Sequence, residues 1–157
     1  MSIKTKLFIY IIVLLSFNSY AQTIKLQELE DMQDINTDSL EKHLQPQQPP
    51  KYLKQLLILE YCFWLNEKPE FGSKLEEIDL LANTLKRQDV LPIYNFCQGM
   101  LSIKKRQHKE AFVFLSNAAQ GFENQKDTLG IIRTYVNLAQ LNLSQTREEE
   151  RNVKAGI

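Results

Sequence analysis

The chain has 157 residues, with 19 basic and 19 acidic side chains, two cysteines and two histidines. That balance leaves no electrostatic footprint for nucleic acid or anionic lipid. The five glycines are not clustered, so no phosphate loop is expected. Neither histidine has a second histidine or a cysteine at metal-ligand spacing, so no metal or other cofactor is expected.

The first element is a signal for export. Lys4 and Lys6 precede an unbroken apolar run from Leu7 to Leu15, and Ser19-Tyr20-Ala21 places small residues at the two positions that a signal peptidase reads. Cleavage is expected before Gln22. The apolar run is far shorter than the roughly 20 residues of a spanning helix, so residues 1–21 read as a cleaved signal peptide rather than a retained anchor. No cysteine stands at the cut to carry a lipid. The expected location is periplasmic or secreted, with no membrane contact after cleavage. The remaining 136 residues carry 17 basic and 19 acidic side chains, because Lys4 and Lys6 leave with the signal.

Residues 22–50 read as a polar lead and linker. Leu26, Leu29 and Met32 have helical spacing, and Thr37-Asp38-Ser39-Leu40 resembles a helix start. The run Gln45-Pro46-Gln47-Gln48-Pro49-Pro50 is expected to break any helix.

From Lys51 the pattern is helical almost throughout. Tyr52 to Asn66 is apolar on most sides and must be covered on more than one face. Lys68-Pro69 and Gly72 mark a turn. Phe71, Leu75, Ile78, Ala82 and Leu85 then form one stripe. Asp89 to Pro92 is the next break. Ile93, Phe96, Cys97, Met100 and Ile103 mark a third helix, followed by the basic turn Lys104-Lys105-Arg106-Gln107. Ala111, Leu115, Ala118 and Phe122 mark a fourth. Asn124 to Gly130 turns again, and Ile131, Tyr135, Leu138 and Asn142 begin a fifth. No segment alternates as a strand does.

The alternation is periodic. Leu81-Ala82-Asn83 recurs as Leu115-Ser116-Asn117, 34 residues on; Cys62 and Cys97 are 35 apart, and Gly99 and Ala139 are 40 apart. A helix–turn–helix unit at this period predicts an all-α, right-handed α-solenoid of about two and a half hairpins, with units near 51–88, 90–126 and 128–157. Equivalent points on stacked helices sit ~8–10 Å apart, whereas a disulfide needs Cα atoms within roughly 7 Å. Cys62 and Cys97 are therefore expected to be buried and unbonded.

The second unit, Asn95 to Phe122, resembles a tetratricopeptide repeat. Gly99 takes the small position of the first helix, Ala111 the early alanine of the second, Leu115 the large apolar residue four later and Ala118 the next small position. Asn95 and Ser102 depart from the family's Trp and Tyr. The third unit fits through Leu138-Ala139, and the first fits in shape alone. The resemblance implies a concave groove lined by first helices and holding a peptide or partner helix. It places Ile93, Phe96, Met100, Ile103 and Lys104 on that face from the second unit, and Arg133, Val136, Asn137 and Gln140 from the third. Some members of the family hold a C-terminal carboxylate with a basic residue and an Asn four later. Arg133 and Asn137 have that spacing, but the second unit offers Ile93 and Cys97 instead.

No catalytic constellation stands out. His43 and His108 are expected in packing or surface roles, Glu76, Glu77 and Asp79 on a solvent face, and the basic turn with Lys109 in water. Asn142-Leu143-Ser144 matches a glycosylation acceptor, a motif too short to decide anything. The run Arg147-Glu148-Glu149-Glu150-Arg151 has no apolar stripe. It suits either the polar end of a long last helix or a chain cut from a longer array. The face of Ile132, Val136, Ala139 and Leu143 then lacks cover, a natural edge for self-association or for docking a partner. The expected function is an exported, non-catalytic scaffold for protein or peptide partners. The alternative is the sensory input module of a relative of membrane-bound signalling proteins. Leader and degenerate repeats resemble the extracytoplasmic front of bacterial sensor kinases and regulators.

Overall fold

The computed structural model describes residues 23–32 and 34–155. The expected signal peptide lies outside the described residues. Among them the chain is all-helical, without strands. The helices are α1 (Leu26–Glu30), α2 (Thr37–Lys42), α3 (Pro49–Leu65), α4 (Leu75–Thr84), α5 (Leu91–Lys104), α6 (His108–Gln125) and α7 (Thr128–Ala155), with a 3-10 turn at Gln88–Val90.

The run Gln45–Pro50 separates α2 from α3, and its last two prolines begin the next helix. Pro49 and Pro50 occupy the first turn of α3, and Pro92 does the same in α5. The first turn of a helix has no intrahelical acceptor for its N–H groups, so a residue lacking that donor loses nothing there.

Helix α3 is covered on several faces, as its pattern requires. Leu53, Leu56, Leu57, Leu59 and Cys62 have no exposed surface, and α3 meets α1, α2, α4 and α5. The stripes of α4 and α6 are buried at Leu75, Ile78 and Ala82 and at Ala111, Leu115, Ala118 and Phe122. Further along the chain α5 packs on α6 and α6 on α7, while α5 also touches α3 and α7. Gly99 permits the close approach of α5 to α6, since a Cβ there would lie 2.7 Å from the Leu115 side chain. Cys62 and Cys97 are both buried and unbonded.

Four helix ends share one backbone device. Glu67, Lys86, Arg106 and Lys126 each adopt positive φ just past α3, α4, α5 and α6. The next residue's N–H then reaches back to a carbonyl in the last turn: Lys68 to Phe63, Arg87 to Ala82, Gln107 to Ser102 and Asp127 to Phe122. This is the Schellman arrangement, usually closed by glycine. Here 39 residues separate Glu67 from Arg106, and 40 separate Lys86 from Lys126. The turns therefore repeat in conformation without repeating in residue type.

Two expectations need correction. Residues 22–50 are not a detached lead: Ile24, Leu26 and Leu29 join the core, and α1 touches both α3 and α7. The segment is polar in composition, but its few apolar residues lie on one side, and burial of each leucine contributes roughly 1.5–3 kcal/mol. In α7 the inward residues are Thr134, Leu138 and Leu141, whereas Tyr135 is half exposed and Asn142 is exposed. That stripe lies one residue away from the expected one at Tyr135 and Asn142. The turn at Asp127 sets it, by starting α7 at Thr128. The helix then continues unbroken through Ala155, so residues 145–155 form no second helix.

Candidate binding cleft

The cleft is built from the C-terminal ends of α3 and α5. Phe63, Trp64 and Leu65 come from α3, Glu67, Lys68 and Phe71 from the turn after it, and Met100, Ile103 and Lys104 from α5. Arg133 of α7 completes an open space of about 560 Å³. The size falls in the range of ligand sites. Trp64 is held edge-on against Phe96, with ring centroids 5.0 Å apart and planes at 87°.

The expected groove residues divide into three groups. Met100, Ile103, Lys104 and Arg133 line the cleft. Ile93 and Phe96 have no exposed surface, so the expectation that they line an open groove is corrected. They belong to the packing that joins α5 to its neighbours, and Phe96 supports Trp64 from behind. Val136, Asn137 and Gln140 lie away from the cleft lining. Val136 is half exposed, Gln140 is exposed, and the Asn137 amide donates to the Arg133 carbonyl at 2.8 Å. Nor does Arg133 stand open beside Asn137 as a clamp. Its guanidinium lies 2.5 Å from Glu30 Oε1.

Glu30 belongs to the segment whose composition predicts a linker. That segment is seated by several polar contacts from elements remote in sequence. The N–H of Leu26 donates to Asp127 Oδ2 at 2.6 Å. Lys54 Nζ pairs with Glu28 at 2.7 Å. The Tyr61 hydroxyl donates to Glu30, and the Cys62 thiol points at the Met32 carbonyl, 3.6 Å away. Burial pushes the Tyr61 phenol far up, Glu30 adds to that, and Arg133 opposes it. Asp89 contributes too. Burial raises its carboxyl, but the paired Arg87 and the Ile24 N–H outweigh that and hold it below the usual range.

A second buried acid shapes the cleft's outer turn. Glu60 has no exposed surface and accepts the N–H of Gly72 at 2.7 Å and of Lys74 at 2.5 Å. Burial pushes its carboxyl up, while those two N–H groups and the Lys74 charge act downward. Gly72 has φ +98°, which suits glycine. Glu60 thereby fixes the turn that carries Lys68 and Phe71. Burial also pushes the Cys97 thiol far up, helped by the Glu60 charge, which leaves it no reactive thiolate.

The remaining titratable candidates do not converge on the cleft. His43 lies in the cap after α2 with Nδ1 2.7 Å from the Ser39 carbonyl, and His108 begins α6. Among the described residues no group of His, Cys, Asp or Glu is arranged to hold a metal ion. Among them, too, no helix is long and apolar enough to cross a membrane. Comparison with protein-family models, with curated proteins and with solved structures yields no match to this chain.

Residue type and spacing alone do not place Trp64, Phe71 and Lys68 in the site. Trp64 reads there as one more apolar residue of α3, and Lys68 as part of a turn. The retrievable signal was the offset of 36 residues between Lys68 and Lys104, close to the spacing of the helical units.

Proposed function

We propose that the chain is an exported, non-catalytic interaction scaffold that holds a peptide or helix of a partner protein. In this reading it is a tetratricopeptide-like right-handed solenoid. The helices α3, α5 and α7 are its first helices, and α4 and α6 its second. The pairwise packing of these helices and the repeated turns at Glu67, Lys86, Arg106 and Lys126 support the assignment. The observation that carries the function is the open cleft between α3 and α5, where Trp64, Met100 and Ile103 offer apolar surface beside Lys68 and Lys104. Interaction sites combine apolar anchoring surface with a polar rim in this way. The leader before Gln22 supports export to the periplasm or beyond.

A photo-reactive side chain at Ile103 tests this in the native host. A specific partner crosslinked from Ile103, and not from the exposed Leu80 on α4, supports the reading. Equal labelling from both positions sinks it. Export is tested separately by sequencing the N-terminus of the mature protein, which should begin at Gln22.

The alternative is a sensory input module. It draws on α7, whose 28 residues carry Ile132, Val136 and Leu143 exposed along one side. Such a helix suits the relay of a ligand signal to an associated chain.

A further inference from the structure

We propose that the cleft selects an acidic amphipathic peptide, one that presents leucine or phenylalanine beside glutamate or aspartate. This rests on the scaffold role above and adds the chemistry of the partner.

Charge is the first ground. Lys68, in the turn after α3, and Lys104, the last residue of α5, come to the cleft 36 residues apart in sequence, with Lys104 Nζ 3.4 Å from the Lys68 carbonyl. Among the described residues no carboxylate pairs with either lysine. Of the described residues lining the cleft, Glu67 alone is acidic, against Lys68, Lys104 and Arg133. An occupant must cover the apolar floor of Trp64, Met100 and Ile103 and also meet two ammonium groups. A basic segment would meet like charge, which costs affinity and so sharpens specificity.

The second ground is the segment already seated next to the cleft. Helix α1 carries the sequence Leu26-Gln27-Glu28-Leu29-Glu30. Its two leucines are fully buried, Glu28 lies on Lys54, and Glu30 lies on Arg133. Arg133 also lines the cleft, so the two sites share a wall. One side of Arg133 thus holds a leucine-bearing acidic segment of the chain itself. The open side offers the same combination of apolar surface and cations.

Trp64 is the single tryptophan of the chain, so its emission reports directly on occupation of the cleft. The probe is a synthetic peptide with the sequence of residues 24–35, titrated into the purified full chain. It is compared with copies in which Glu28, Glu30, Asp31 and Asp34 are all replaced by Lys or all by Gln. The acidic peptide should bind saturably. The Lys copy, and a Lys68→Glu/Lys104→Glu protein, should each weaken binding by about tenfold or more. Both lysines lie outside the core, and circular dichroism checks that the variant remains helical. If the Gln or Lys copy binds as tightly as the acidic peptide, the acidic preference falls while peptide binding in the cleft survives. If none of the three binds, the scaffold reading falls with it. If Lys68→Glu/Lys104→Glu binds the acidic peptide unchanged, the peptide is exchanging with α1 rather than filling the cleft, and the inference is overturned.

Discussion

The N–H of Leu26 donates to Oδ2 of Asp127 at 2.6 Å, joining positions 101 residues apart. The other oxygen of the same carboxylate accepts the Gly130 N–H at 3.1 Å, capping the first turn of α7. One buried aspartate, 2% exposed, therefore starts the last helix and anchors the first. The seat for α1 and the position of Arg133, six residues further on, have a common origin.

Replacing Asp127 by alanine removes both bonds and leaves a buried N–H without an acceptor. The lost cap costs about 0.5–2 kcal/mol and the orphaned donor about 1–3 kcal/mol. The expected loss is about 2–4 kcal/mol in urea unfolding. Glu30→Gln, which keeps a neutral acceptor nearer the surface, should cost clearly less. Equal effects would mean that Asp127 does not join the two helices.

The positive-φ residues predict stabilisation. A side chain in the left-handed region costs roughly 1–2 kcal/mol, and glycine avoids that at some cost in chain entropy. Lys126→Gly and Arg106→Gly should each add about 0.5–1 kcal/mol. By the scaling of melting temperature with domain size, each should raise Tm by roughly 2–4 °C. A fall in Tm for both would show that these turns do not keep the Schellman conformation.

Glu60 predicts a pH dependence. Its carboxyl is raised above the ordinary value of 4.5 chiefly by burial. Folding therefore favours the protonated form. That contribution is fully present below pH 4.5 and is lost as pH rises through the raised value. Glu60→Gln should remove this part of the slope, so that the difference in unfolding free energy between variant and parent changes with pH across that window. A constant difference from pH 4 to 8 would mean that the carboxyl keeps its unfolded value.

Ile132, Val136 and Leu143 are each at least half exposed on α7, at intervals of four and seven residues. Ala139 completes the row. Such a row is expected to associate with a second copy at high concentration. Light scattering on the purified chain should show mass rising with concentration. A Val136→Glu/Leu143→Glu variant should remain a folded monomer. A native chain that stays monomeric at millimolar concentration would show that this row is not an interface.

Most of the helical organisation was legible in the sequence because it is local. The stripes at Leu75, Ile78 and Ala82 and at Ala111, Leu115, Ala118 and Phe122 need only the 3.6-residue period to be seen. Gly99 likewise announced a close helix contact. The cleft was legible only at Met100, Ile103, Lys104 and Arg133. Ile93 and Phe96 share their apolar character, and nothing in residue type separates a groove wall from the layer beneath it. Lys68 and Trp64 were hidden for the converse reason, since their neighbours in the cleft come from another turn and another helix.

By itself the sequence determined that the chain is helical, where its main helices run and, except in α7, which faces they bury, since backbone propensity and side-chain periodicity act over a few residues. It also gives the chain a single tryptophan, Trp64. Only the tertiary structure decided that residues 24–44 pack on the body instead of trailing from it. It also decided that Arg133 is held by Glu30 and that the open space lies at the ends of α3 and α5. Those outcomes depend on contacts across some 100 residues, such as Leu26 with Asp127 and Glu30 with Arg133. Such contacts form only once the intervening helices have stacked, and local patterning carries no record of them.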